Sequence, residues 1–461
     1  MNREPIIFHI DVNSAFLSWT ALARLKSGDP VDLRQIPSII GGSPSDRHGV
    51  VFAKSIPAKA YGIVTGEPVV NALRKCPHLV IVPPDRHLYQ QKSDSLMEYL
   101  SSISPDIEQA SIDECYMDFT PISSHYPSPE RAAAFFKDSI FENFGFTVNV
   151  GISNRKVLAK MASDFKKPNL VHTLYSWEIK EKMWPLPVSS LFMCGHSSVE
   201  ALKNLGILTI GDLACTDLSV LEANLKSHGH MLWNYANGID PSGVFAEPAK
   251  AKGIGNSTTL TKDVSDRQNA CRTLLALSES VGRRLRESGQ LAGQVCTEIK
   301  YASFQSVSHQ AALVPASASD DVIYHKSCEL FDELWNGEPI RLLGVRTSKL
   351  SRQEDPVQLS LFDFADLSPL TSPREEAGSF DSSASSFSKP RKQPASSFSP
   401  ASLSSNGKKV APLVSSEKQK KLDAALDSIR SRFGRNAVTR GSLLTSPESK
   451  ENKASIKEPS E

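Results

Sequence analysis

The tetrapeptide Ser111-Ile112-Asp113-Glu114 limits this chain more than any other stretch. It runs directly into Cys115-Tyr116-Met117-Asp118-Phe119, whose residues favour a strand. Two adjacent carboxylates at a strand edge need a compensating charge, and a hard divalent cation such as Mg²⁺ is the commonest one. Such ions take carboxylate oxygens and keep water or phosphate as their remaining ligands, so two or three convergent acids suffice. Asp11 is the third candidate. It ends the run Ile6-Ile7-Phe8-His9-Ile10, which reads as a short buried strand. Asp11, Asp113 and Glu114 on neighbouring strands would hold two metals about 3.5–4 Å apart, the arrangement that clamps attacking and leaving oxygens in phosphoryl transfer. An Asp-Glu pair by itself is more often a solvated turn, so the reading depends on what surrounds it.

The first strand, over 5–12, gives way at Asn13-Ser14-Ala15-Phe16 to a helical segment from Leu17 to Leu25. The small residues at 13–15 let backbone N–H groups approach an anion where the helix dipole also favours negative charge. Phe16 is the bulky exception, and on its own reads as core. Residues 31–84 are irregular, with Gly41-Gly42 and several prolines, as in a small appended subdomain carrying Lys54 and Lys59. Helical periodicity returns from Asp85 to Ile103 through Leu88, Tyr89, Leu96 and Leu100, and again from Glu130 to Phe144. Thr147 to Ile152 alternates as a strand, and Ser153-Asn154 can cap a helix from Arg155 to Phe165. This order of strands and helices predicts an α+β layer with helices on one face. Lys160 and Lys167 are seven apart, close to two helical turns, and so share a side, although each taken alone reads as solvated.

Asp11-Val12-Asn13-Ser14-Ala15-Phe16, Ser111 to Asp118, and Gly151-Ile152-Ser153 continuing to Lys167-Pro168-Asn169 together resemble the Y-family DNA polymerases, the DinB/UmuC group that copies damaged templates. The likeness runs in order from residue 5 to about 350. It implies a right-hand polymerase: a ferredoxin-like palm over 1–14 and 85–172, small fingers over 15–84, a helical thumb with a helix-hairpin-helix over 173–242, and a βαββαβ little finger over 250–352. It implies that Asp11, Asp113 and the Val12 carbonyl ligate two Mg²⁺ ions, with Glu114 completing the site beside the primer 3′-hydroxyl. By the same likeness Phe16 is the steric gate against a 2′-hydroxyl, and Ser14, Ala15, Lys59 and Lys167 contact the incoming deoxynucleotide. The expected reaction is low-fidelity, template-directed synthesis with release of pyrophosphate, by a monomer acting on primer-template DNA in repair or tolerance of damage.

Three positions depart from the family pattern. Asn13 stands where many members have a second acid, Ile56 where a tyrosine often touches the triphosphate, and Leu170 where a glycine usually follows Lys-Pro-Asn. In the thumb segment the usual Gly-x-Gly hairpin is reduced to Gly195, with Met193 at the other glycine position, and an ordinary helical bundle is the alternative there. In the little-finger segment Arg283, Arg284, Arg286, Lys300 and Arg346 are candidate phosphate contacts, each equally readable as a solvated charge.

Beyond residue 352, Gln358-Leu359-Ser360-Leu361-Phe362 matches the peptide that binds the bacterial sliding clamp, the β subunit. Residues 366–416 are rich in Ser and Pro and read as disordered. Leu422, Leu426, Ile429 and Phe433 mark one face of a short basic helix within 417–445, beside Arg430, Arg432 and Arg435. That helix suits a partner or DNA, or docks back on the core.

Composition adds limits. At 461 residues the chain is long enough for about three domains. A net charge of +1 announces no polyanion partner, so any basic surface is local. Seven scattered cysteines without a Cys-x-x-Cys pair read as reduced thiols of a cytoplasmic protein. No stretch reaches the roughly 20 apolar residues of a membrane helix. Two other functions stay open on sequence: a non-catalytic clamp- and DNA-binding factor that retains the polymerase fold, and a two-metal nucleotide cyclase. The acids and lysines disfavour the first, and the thumb, little finger and clamp peptide disfavour the second.

Overall fold

The computed structural model describes residues 4–44, 49–245, 250–352, 354–355, 417–434, 437–438 and 440–441. The clamp-type peptide 358–362, the Ser/Pro-rich segment 366–416 and Arg435 lie outside the described residues. The chain divides into two compact units, Met1–Lys250 and Ala251–Glu461.

The first unit begins with β1 (Ile7–Val12) and α1 (Ala15–Lys26), followed by β2 (Ser38–Gly41), β3 (Val51–Lys54), α2 (Ile56–Ala60), α3 (Val69–Lys75) and β4 (Val80–Val82). Next come α4 (Arg86–Ile103), β5 (Ile107–Gln109), β6 (Glu114–Asp118), α5 (Pro129–Phe144), β7 (Val148–Ser153), α6 (Lys156–Ser163) and β8 (Val171–Thr173). Strands β5-β6-β1-β7-β8 form one sheet, in which β1 is central and antiparallel to both neighbours. Alternation along β1 sends Phe8, Ile10 and Val12 to a core shared with Leu96, Leu100, Phe136 and Ile140 of α4 and α5. Ile7, His9 and Asp11 point the other way, where Ile7 meets Ala159 of α6. Helices therefore cover both faces of this sheet, not one. The alternation of Phe8, Ile10 and Val12 with His9 and Asp11 reads as one core face and one open face, but β1 is buried on both, because its polar face is covered by α6.

Close approach of α6 to the sheet depends on Gly151. A Cβ there would lie inside van der Waals contact of the Ala159 carbonyl oxygen and the Ser163 amide nitrogen, both backbone atoms. Gly151→Ala is expected to cost about 3 kcal/mol or more of stability, because only a shift of α6 relieves the overlap. An unchanged denaturant midpoint for the variant would remove Gly151 from this role.

Ser153 and Asn154 do not cap α6. Ser153 is still in the strand and donates to Leu174 O, Asn154 donates to Glu4, and Arg155 is the N-cap without a side-chain hydrogen bond. The segment read as irregular holds a small sheet in the order β3-β2-β4, whose strands are three or four residues long, too short to show a period.

After β8 the unit is helical: α7 (Ile179–Lys182), α8 (His196–Asn204), α9 (Ile210–Cys215), α10 (Leu218–Leu225) and α11 (Ser227–Ala236). The element before the hairpin is only a 3₁₀ turn, Val188–Ser190, and Gly195 is the N-cap of α8. Met193 takes the left-handed φ of 67° that the missing glycine would have taken.

The second unit runs β9 (Gly253–Val264), α12 (Arg267–Glu287), β10 (Gln290–Tyr301), β11 (Ser306–Ser317), α13 (Asp320–Leu334) and β12 (Ile340–Arg352), then α14 (Glu417–Phe433). Its antiparallel sheet has the order β11-β10-β12-β9, with Val295, Ile299, Leu343 and Val345 facing Leu274, Val281, Ile323 and Phe331 of α12 and α13. The mixture of largely antiparallel sheets with packed helices agrees with the α+β class read from the sequence.

The C-terminal helix docks in an unexpected way. Leu422, Ile429 and Phe433 are exposed, while Asp423 is buried. Arg286 of α12 binds Asp427 (Nε to Oδ2, 2.6 Å) and Asp320 (Nη1 to Oδ1, 2.8 Å). Arg430 and Arg440 converge on Glu279 at 3.0 and 2.7 Å, and Arg440 also meets Asp321 at 2.6 Å. The helix thus turns its charged side inward, and Arg286 belongs to this network instead of being a free phosphate contact. Arg283 likewise pairs with Glu287 and Arg284 donates to Gly255 O, whereas Arg346 is exposed on the sheet.

Candidate active site

The register of β1 on β6 places Asp11 directly opposite Glu114, so their side chains share a face of the sheet. That face is the one α6 covers, and α6 delivers Lys160 between them. Its Nζ lies 2.7 Å from Glu114 Oε1 and 3.4 Å from Asp11 Oδ2. Lys167, just beyond α6, approaches Asp11 Oδ1 at 3.0 Å and Asp164 Oδ1 at 2.9 Å.

Burial dominates the electrostatics. It pushes Asp11 up to about 6 despite the two lysines beside it. Burial also raises Glu114, but hydrogen bonds from His9 and Lys160 and the charge of Lys160 outweigh it and hold that carboxyl well below the usual range. Burial lowers Lys160, and its contacts with Glu114, Asp164 and Asp11 more than reverse this. Lys167 behaves in the same way, with Asp11 and Asp164 as its partners. Three carboxylates thus surround two ammonium groups, leaving an excess of negative charge.

Asp113 precedes β6. Its backbone carbonyl accepts from the Val12 amide at 3.0 Å, which fixes it beside β1, while its carboxylate accepts from Ser111 Oγ at 2.7 Å. Among the described residues no three His, Cys, Asp or Glu side chains converge as a ready ligand group. The reason is visible: Lys160 bridges Asp11 and Glu114, and Ser111 holds Asp113 aside. The donor set is nevertheless all hard oxygen with surplus negative charge, and so fits an ion of the Mg²⁺ class.

Two polar residues that sequence reasoning passed over also shape this site. His9, hidden within an apolar run, is fully buried, pairs with Ser163 Oγ at 2.8 Å through Nδ1, and faces Glu114 Oε2 at 3.5 Å through Nε2. Burial lowers its pKa, so the ring is neutral at pH 7. Asn149 donates to Ser163 O and Lys166 O and accepts from Asn13 and from the Leu170 amide. Asn13 accepts in turn from Thr147 Oγ1 and the Asn169 amide. An aspartate at 13 would turn an acceptor toward Asn149 Oδ1, which accounts for the amide at this position and ties it to the loop that carries Lys167. Leu170 fits the same loop, its carbonyl accepting from Val150.

Phe16 stacks on Tyr89, with centroids 4.6 Å apart and planes 16° apart, and Tyr89 OH meets Thr20 Oγ1 at 3.0 Å. The ring is thereby fixed at the start of α1. Ser14 adopts a left-handed conformation at the N-cap without a side-chain cap, and Ala15 is buried behind it. Lys59 stands exposed on α2, near enough to Lys54 to lower the pKa of that residue, for which burial is the larger cause. Ile56 opens the same helix and is 65% exposed. Of the predicted site residues, the structure brings Lys167 into direct contact with Asp11, joins Glu114 to Asp11 through Lys160, and sets Val12 and Asp113 next to them by a backbone bond. Lys160 was legible only as a charge near Lys167.

Two family profiles match the chain: the impB/mucB/samB family over residues 10–164 and the impB/mucB/samB family C-terminal domain over residues 251–361. A protein named DNA polymerase IV from Clostridium acetobutylicum is 47% identical over 361 residues, which is 78% of this chain and 90% of that one. Another of the same name from Alkaliphilus oremlandii is 32% identical over 443 residues, covering 96% of this chain and 99% of the relative. Among solved structures, a Y-family polymerase chimera of Dbh and Dpo4 superposes with a TM-score of 0.67 at 21% identity, over 75% of this chain and 99% of that one. This last likeness bears on the fold alone.

Proposed function

We infer the function from one premise: the chain belongs to the impB/mucB/samB family, the Y-family DNA polymerases, and is a DinB-like, DNA-directed DNA polymerase. Its substrates are primer-template DNA and deoxynucleoside triphosphates, and its class is translesion synthesis. The finer reading is our proposal. Within it, residues 1–14 and 85–172 are the palm, 15–84 the fingers, 173–242 the thumb and 250–352 the little finger.

The observation that carries the reading is the pairing of Asp11 with Glu114 across β1 and β6, with Lys167 on Asp11. Asp11, Asp113, Glu114 and the Val12 carbonyl would hold two Mg²⁺ ions, which when bound lower the pKa of the primer hydroxyl and neutralise charge on the triphosphate. Lys160 has to release Asp11 or Glu114 for those oxygens to serve as ligands, and Asp164 at 3.6 Å offers it another partner. Lys167 and Lys59 bind the triphosphate, and the uncapped start of α1 at Ser14-Ala15 presents backbone N–H groups to it. Fidelity is low, the protein acts as a cytoplasmic monomer in tolerance of DNA damage, and Gln358, Leu359, Leu361 and Phe362 bind the sliding clamp. No described helix is long and apolar enough to cross a membrane.

Primer extension by the full chain, with Mg²⁺ and four deoxynucleotides, tests this directly. Extension that disappears in Asp113→Ala supports polymerase and metal site together. Wild-type protein that fails to extend even with the clamp present overturns the catalytic reading. Phe16→Ala gives a finer test: the Tyr89-backed ring occupies the space a 2′-hydroxyl needs, so incorporation of ribonucleotides relative to deoxynucleotides should rise by about 10²-fold or more in single-nucleotide assays. An unaltered ratio would place the gate elsewhere.

A further inference from the structure

In the second unit Cys271 of α12 and Cys328 of α13, 57 residues apart in sequence, bring their sulfurs to 3.6 Å, with the Cys328 thiol donating to Cys271 Sγ. Both are reduced. Closing such a contact to the roughly 2.05 Å of a disulfide needs a movement of little more than 1.5 Å shared by two side chains. The pair sits at the edge of the core, 7% and 8% exposed, and Cys271 lines a cleft of about 780 Å³ together with Arg267, Arg272, Tyr324 and His325. Arg267 is held in place by two hydrogen bonds to Asp332, at 2.6 and 2.7 Å. A small neutral oxidant therefore has a route to one sulfur of the pair, and that sulfur lies beside a fixed guanidinium.

The two thiols are not equivalent. The hydrogen bond from Cys328 and, after opposing burial, the charge of Arg267 bring Cys271 down to about 7, while the same pairing pushes Cys328 up. One member is thus poised as a nucleophile and the other is protected until it is needed. Elsewhere burial alone raises Cys194, and burial with Glu114 raises Cys115 to about 12.

We propose that Cys271 and Cys328 are a modification site, a dithiol that a hydroperoxide oxidises to a disulfide joining α12 to α13. In the first step the Cys271 thiolate attacks one peroxide oxygen and the O–O bond breaks. The other oxygen leaves with a proton as water or an alcohol, and Cys271 becomes a sulfenic acid, oxidised by two electrons as the peroxide is reduced by two. In the second step Cys328 sulfur attacks Cys271 sulfur, an S–S bond forms, and hydroxide leaves and takes the Cys328 proton to become water. The sum is two thiols and one hydroperoxide giving one disulfide, one alcohol or water, and one water.

The test uses the full, reduced chain with hydrogen peroxide, quenching by alkylation, and non-reducing peptide mapping. The expected first product is a linked pair of peptides containing Cys271 and Cys328, about 2 Da lighter than the two reduced peptides and restored by dithiothreitol. It should form at least about tenfold faster than any oxidation of the exposed Cys215. In Cys328→Ser the reaction should stop at a sulfenic acid on Cys271 that dimedone traps, and Cys271→Ser should leave Cys328 unmodified. Preferential oxidation of Cys215 with the pair still reduced would overturn the proposal, as would a Cys328→Ser chain that takes no dimedone. The wild-type mapping stands even if one variant folds poorly.

Discussion

Glu114→Gln is expected to reduce primer extension by about 10³-fold while leaving the protein folded. The amide keeps the size of the side chain and can still accept from Lys160, so the packing under α6 is preserved. Only the negative charge is lost, and charge is what this position contributes. Glu114 is held ionised by His9 and Lys160, whereas burial raises Asp11 toward neutrality, so the two acids opposite one another are unequal. In the proposed metal site, replacing the more firmly ionised one would remove the larger share of the field that holds a divalent cation. A loss confined to KM would point to binding alone. Activity within a fewfold of wild type, with Mg²⁺ saturating, would mean that this carboxylate takes no part in the reaction. The melting temperature provides the control, because Lys160 retains Asp11 and Asp164 as partners and the variant should melt within a few degrees of wild type.

Which parts of this site were legible in the sequence follows from what each residue needs. Asp11 was visible because it terminates an apolar run, and Glu114 because it opens one. Their meeting was not, since a register is a relation between strands 103 positions apart, and the chain itself carries only the two ends of it. Lys160 looked solvated because nothing local distinguishes a helix face that covers a sheet from one that faces water. Gly151 was the signal available: a glycine inside a strand marks a close approach of backbone, and the approaching element is the helix that carries Lys160. His9 and Asn149 were hidden among apolar neighbours, where a polar side chain with a buried partner is indistinguishable from a gap in the pattern. The α+β class survived these omissions because it depends on hydrophobic runs and their spacing. The C-terminal helix misled for the opposite reason. Its apolar stripe was easy to see, but the surface it meets presents Arg286, Glu279 and Asp320, so the charged side of the helix packed and Leu422, Ile429 and Phe433 stayed outside, with Leu426 half-buried.

Arg286→Met is expected to destabilise the second unit by about 3–5 kcal/mol. Methionine replaces the aliphatic stem, so the loss isolates the guanidinium. Without it Asp320, 1% exposed, retains among the described residues only the cation of Arg440 at 3.9 Å, and Asp427 loses its two hydrogen bonds from Arg286. The pH dependence separates charge from packing. Burial pushes Asp320 up to about 6 even with Arg286 present. Since that value lies above the ordinary one for the unfolded chain, the stability this group lends is full below about pH 4 and is lost as pH rises through 6. Removing Arg286 raises Asp320 further, so near pH 5 the acid takes up a proton and escapes the cost of an unpaired buried charge. Glu279, Asp321 and Asp423 face the same cluster from α12, α13 and α14, with Arg430 and Arg440 as their remaining cations. The deficit between variant and wild type, measured by denaturant unfolding, should therefore be largest at pH 8 and shrink toward pH 5. A deficit that stays constant across that range would assign the effect to lost packing, and a deficit near zero at pH 8 would show that α14 is not held by this network.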